Sequence, residues 1–180
     1  MPRLLGLCFA ALLLLGACGG DGGPTSVDSG TPEPAPEGID GVLAYGVTDN
    51  SHVQGAIDYD VSPPVGGPHN PVWANCGFYD GEVPNENVVH SLEHGAVWIT
   101  YTGDADPATL EALQALAAGN GYVLVSRFDD QDSPLVLTAW NRQLAVDSVE
   151  DPRVEEFVAT YAGGADTAPE PGGLCSGGAG

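Results

Sequence analysis

The chain contains no lysine, and its 180 residues carry four arginines against 25 carboxylates. At a formal net charge of −21, nucleic acid is excluded as a partner, because affinity for a phosphate backbone comes from Lys and Arg. Docking on anionic lipid through a basic patch is excluded for the same reason. So is a phosphate-binding loop that ends in lysine. Methionine occurs once, at Met1, which leaves no thioether for soft copper(I) ligation in a processed chain. Long apolar runs are scarce as well: Leu4 to Leu15 is the longest, well short of the roughly 20 residues that span a bilayer. What is present is the material of one folded domain with long loops, 43% hydrophobic, with 26 glycines and 15 prolines.

Arg3 followed by Leu4–Leu15 has the charge and length of an export signal. The run ends in Leu15-Gly16-Ala17-Cys18, which resembles the lipobox of bacterial lipoproteins. That resemblance implies a lipoprotein signal peptide over residues 1–17 and acylation of Cys18 as the first mature residue. The protein is then expected outside the cytoplasm, lipid-anchored to a bacterial membrane on its periplasmic side or at the cell surface. Cys8 leaves with the signal, so Cys76 and Cys175 are the two thiols left in an oxidising compartment, and a disulfide between them is expected.

Residues 18–39 are Gly, Pro, Ser, Thr and acidic residues with little to bury, which predicts a flexible tether. A globular domain is expected over 40–163 and a Gly/Pro-rich tail over 164–180, with Leu174 and Cys175 as its only anchors. Asp106-Pro107 and Asp151-Pro152 each read as a cap and first helical residue ahead of an apolar stripe. Strands are expected at Ala96–Tyr101, Tyr122–Arg127, Leu135–Ala139 and Gln143–Val146. The resulting fold class is α+β: a small sheet with two helices on one face, in the order β-α-β-β-β-α, preceded by a long irregular segment rich in His, Pro and Gly. A thioredoxin-like or ferredoxin-like arrangement is the alternative.

All four histidines, His52, His69, His90 and His94, lie in that irregular segment. If Val88–His94 is a helical turn stopped by Gly95, His90 and His94 are about 6 Å apart at Cβ and can share one ion. As a strand, the same residues would be roughly 13 Å apart and could not. Val88 and Val89 favour strand, Asn85 as a cap and Gly95 as a stop favour helix, and helix is expected. The candidate metal ligands are therefore His90 and His94, completed by His69, His52 or Glu93 at the edge of the site. Imidazoles with a carboxylate suit Zn²⁺ or Cu²⁺. His90-Ser91-Leu92-Glu93-His94 also spells the inverted zincin pattern His-x-x-Glu-His, but without the long flanking helices that such peptidases need. Trp73, Trp98 and Trp140 have apolar neighbours and are expected in the core.

The motifs Pro63-Pro64-Val65-Gly66-Gly67-Pro68-His69, Trp73-Ala74-Asn75-Cys76-Gly77-Phe78-Tyr79, Val89-His90-Ser91-Leu92-Glu93-His94-Gly95 and Leu137-Thr138-Ala139-Trp140 resemble those of an exported bacterial family, domain of unknown function 3105. The resemblance covers about residues 50–163 and implies a lineage without an activity. The residues themselves favour a membrane-anchored, non-enzymatic lipoprotein that binds a divalent transition metal, with no protein partner named. The alternatives are a structural or partner-binding lipoprotein without metal and a metal-dependent hydrolase with Glu93 as base.

Loss of Arg3 with the signal would leave three arginines against 25 carboxylates, so self-repulsion should limit stability. The melting temperature is expected to rise between low and physiological salt, as the screening length falls from about 30 Å to about 8 Å. A melting temperature that ignores salt over this range would refute this.

Overall fold

Two of the helices begin where an aspartate precedes a proline. The Asp106 carboxylate accepts the N–H groups of Ala108 and Thr109, and Asp151 accepts that of Arg153. Both prolines fall where a missing N–H costs nothing. The computed structural model describes residues 25–164 and 166–180. The signal segment and Cys18 lie outside the described residues.

In chain order the elements are β1 (Thr25–Ser26), β2 (Glu33–Pro34), β3 (Leu43–Ala44), β4 (Ile57–Asp58), β5 (Gly77–Phe78), α1 (Asn85–Glu93), β6 (Val97–Tyr101), α2 (Pro107–Gly119), β7 (Val123–Arg127), β8 (Leu135–Ala139), β9 (Arg142–Val146) and α3 (Pro152–Tyr161). Seven strands form one sheet in the order β2-β3-β9-β8-β6-β7-β5. β6 and β7 run parallel across the α2 crossover, and β8 and β9 follow antiparallel. The four stand side by side in the order β9-β8-β6-β7. The β8–β9 turn places Asn141 at φ 59°, a left-handed conformation that Asn tolerates. The Asn141 amide then exchanges hydrogen bonds with the Val47 backbone, 2.9 and 2.8 Å, tying the irregular segment to the sheet.

Every residue of β6 and β8 is buried, as in a strand covered on both faces. Alternation along β6 divides the core. Val97, Ile99 and Tyr101 pack with Leu113 of α2 and with Val154 and Phe157 of α3. Trp98 packs on the other side with Val88, Val89 and Leu92 of α1 and with Val65 and Trp140.

The α+β class is thus correct, but the expectation of helices on one face alone is corrected. α2 and α3 share a face, while α1 and the irregular segment cover the other. That segment buries its apolar residues singly, without the periodicity that marks a helix or strand. The tether boundary is corrected too. β1 pairs with β4, β2 pairs with β3, and Glu37 takes a forked contact from Arg142, so residues 25–39 belong to the domain. Composition registers missing apolar side chains but is blind to backbone pairing.

At the other end, Cys76 and Cys175 are joined by a disulfide with Cα atoms 5.2 Å apart. The Asn75 N–H donates to the Ala179 carbonyl and the Ala179 N–H to that of Trp73, so the tail runs beside residues 73–76. Leu174, expected as an anchor, exposes its side chain; only its carbonyl is used. Among the described residues no helix is long and apolar enough to cross a membrane.

Candidate metal centre

The helical reading of residues 88–94 matches the structure. α1 runs Asn85–Glu93 and His94 caps its C-terminus. Asn85 is not the cap, however: the preceding Pro84 is, and no side chain bonds the first turn. A nine-residue helix without a cap has little stability of its own. It is held by Val88, Val89 and Leu92, all buried. Gly95 ends it at φ +98°, and a Cβ at this position would strike the backbone of Gly163 and Gly164. Glycine is required there twice over, for the left-handed turn and for the close approach.

The histidines are oriented by backbone carbonyls. His69 Nδ1 is 2.8 Å from the Gly67 carbonyl, His90 Nδ1 2.7 Å from that of Asn70, and His94 Nδ1 2.6 Å from that of Leu174. A carbonyl can only accept, so each Nδ1 carries a proton and donates. In a neutral ring the lone pair is then on Nε2, and all three Nε2 atoms turn inward. His69 Nε2 is 3.0 Å from Glu93 Oε2, and His90 Nε2 is 3.1 Å from His94 Nε2. His52 Nε2 lies 3.6 Å from the same Glu93 oxygen, its ring stacked on His90 at 4.8 Å.

These contacts put acceptors against acceptors. Glu93 is 2% exposed and His69 fully buried, and among the described residues the only conventional donor to the carboxylate is Asn50, whose Nδ2 is 2.6 Å from Oε1. A buried carboxylate facing imidazole lone pairs needs a cation, either a proton on a ring or a metal ion between them. Ligand atoms of His52, His69, His90 and Glu93 all lie within 4.8 Å of one another, so this set could hold a metal ion. The carbonyl-fixed Nδ1–H groups are the support that metal-binding imidazoles use.

Rigid glycine and proline turns set His69 in place. Gly66 lies against the Trp140 indole, 3.2 Å from where its Cβ would be, and Pro68 limits the backbone beside it. Trp98 and Trp140 are core residues, whereas Trp73 is only half-buried and covers His90 and His94 with centroids at 5.6 and 5.2 Å.

The structure brings together His52, His69, His90 and Glu93, with Glu93 at the centre and not at the edge that its flanking position in the sequence suggests. His94 touches His90, yet its ligand atom groups with Glu93 and Glu170. Sequence reasoning missed Asn50 and Glu170. For Asn50 no signal existed. For Glu170 there was one: a disulfide to Cys76 carries the tail, with its two carboxylates Asp166 and Glu170, to the histidines.

An α+β domain with a buried histidine–carboxylate cluster is the class these features define. The chain belongs to the family described as protein of unknown function, DUF3105, whose model matches residues 52–177. That span takes in every histidine, both disulfide cysteines and Glu170. No curated protein and no solved structure matches the chain.

Burial pushes the His90 imidazole down to about 4, against the Asn70 carbonyl that favours its charged form. In the unfolded chain the ring takes up its proton near 6.5. The unfolded state therefore binds more protons between these values, and stability held above pH about 6.5 is lost as pH falls towards about 4. The loss attributable to this ring is at most about 3 kcal/mol. Denaturant unfolding of metal-free protein at several pH values should show it, and His90→Gln should flatten that slope. An unchanged slope in the variant would assign the loss to other groups.

Proposed function

We propose that the protein is a lipid-anchored, extracytoplasmic lipoprotein that binds Zn²⁺ or Cu²⁺ through His52, His69, His90 and Glu93, handling or sensing the metal without turning over a substrate. The observation that carries this reading is the buried Glu93 carboxylate, faced at 3.0 Å by a His69 nitrogen whose partner nitrogen is already committed to the Gly67 carbonyl. Three imidazoles and one carboxylate suit both ions. His52, half-exposed, gives the site an outer side through which an ion can enter.

A hydrolase is less well supported. α1 stops at Glu93 and β6 follows almost at once, so His90 to His94 do not sit within the long helices of a His-x-x-Glu-His peptidase. Asn50 already donates to one Glu93 oxygen, and in this reading the other is a metal ligand, which leaves neither free as a general base. The address rests on the first eighteen residues alone.

Chelator-stripped protein titrated with Zn²⁺ in a calorimeter should bind tightly, with affinity falling on acidification because protons compete for the imidazoles. His69→Ala or His90→Ala should weaken binding by about 100-fold or more, beyond the loss typical of a supporting residue. If the wild type takes up no Zn²⁺ and the variants simply unfold, the histidines organise the segment and bind nothing. For the address, Cys18→Ser should move the protein from the membrane to the soluble fraction of the producing cell. Retention in the membrane would overturn the anchor.

A further inference from the structure

The first four ligands leave one imidazole unexplained. His94 is 6% exposed, and its Nδ1 donates to the Leu174 carbonyl. Its Nε2 meets no N–H or O–H donor among the described residues. It faces His90 Nε2 at 3.1 Å and the Glu170 carboxylate at 3.7 Å. Ligand atoms of Glu93, His94 and Glu170 all lie within 4.8 Å of one another, and Glu93 is common to this set and to the inner one.

The space around His94 is built. Gly173 has no side chain where the ring lies; a Cβ there would be 2.6 Å from His94 Cγ. The Glu170 N–H donates to the Glu93 carbonyl at 3.0 Å, and the Gly173 N–H to the Glu170 carbonyl at 3.1 Å. Pro169 and Pro171 restrict the backbone on either side. The disulfide at Cys175 fastens the same stretch. Glu170 is therefore held by its main chain against the end of α1, while its side chain reaches solvent, 63% exposed.

We propose that the cluster holds a second divalent cation, bound by His94, Glu170 and the shared Glu93 carboxylate. This rests on the metal-binding reading of the inner ligands. A carboxylate common to two adjacent ligand sets is the arrangement that bridges paired ions. The outer position has one nitrogen and two carboxylates, fewer imidazoles than the inner one, and an exposed member. It binds more weakly and exchanges faster. Zn²⁺ fits it, with water completing the coordination.

The competing occupant is a proton, shared by His90 and His94 with Glu170 as counter-ion. Zn²⁺ titration of the full-length, chelator-stripped protein in detergent at neutral pH separates the two. The expected result is two Zn²⁺ per chain in a tight and a weak step. Glu170→Gln, a change at an exposed side chain, should abolish the weak step and leave the tight one unaltered. His94→Gln should do the same, and circular dichroism should show both variants folded. With Cu²⁺ as the probe, filling the second position should reduce the electron paramagnetic resonance signal per copper, as neighbouring ions couple.

One Zn²⁺ per chain with Glu170→Gln silent would overturn the second position and leave the inner site standing. Weakening of the tight step by His94→Gln would also overturn it, by placing His94 on the same ion as His90. No binding by the wild type would refute both readings.

Discussion

The Glu93 carboxylate has been taken out of water and given a single amide donor. A buried anion of this kind is costly unless a positive charge lies against it, and much of the surrounding structure brings nitrogen atoms to that one oxygen pair. His69 arrives on a glycine–proline turn, His52 from the strand-like contact beside it, and His90 from one turn back on the same helix. The acid-rich composition makes this placement more telling. With carboxylates so plentiful, Glu93 is the only one among the described residues that is buried, and it is enclosed among imidazoles.

The enclosure depends on the face of the sheet opposite α2 and α3. There a segment with little regular structure is packed by single apolar contacts, Val47, Val65 and Trp140, and by Asn141, whose amide stands in for a backbone partner. Such a segment can place a carbonyl wherever a ring nitrogen needs one, which a helix or strand cannot, because its carbonyls are already paired. The Gly67, Asn70 and Leu174 carbonyls that orient three histidines all come from irregular backbone. Regular elements supply the platform, and irregular ones set the tautomers.

Legibility in the sequence followed the range of the interactions. Helix starts at Asp106-Pro107 and Asp151-Pro152 are local chemistry and were readable to the residue. So was the contact between the His90 and His94 rings, since it needs only a helical turn, but the expected sharing of one ion was not, because His94 falls in the set of Glu93 and Glu170. The central position of Glu93 was not, because it depends on His52 and His69, which lie outside the helix. Asn50 and Glu170 reach the site from opposite ends of the domain. The short strands at Thr25–Ser26 and Glu33–Pro34 were hidden for a different reason. They bury almost no side chain, and a pattern of apolar residues is the only trace that a strand leaves in a sequence.

The tie between Cys76 and Cys175 joins residues 99 apart in the sequence and closes a loop that runs from β5 through the sheet and α1, α2 and α3 to the tail. In a chain made from its N-terminus, the inner ligands can assemble once α1 and the turn before it have Trp98 and Trp140 of the sheet to pack on. The carbonyl that orients His94 does not exist until synthesis has passed Leu174, and it is not fastened until the thiols are oxidised. Maturation of the cluster is thus ordered in time: the interior forms with the fold, and the outer wall is added last. A chain kept reduced would keep its inner ligands while its outer wall stayed loose.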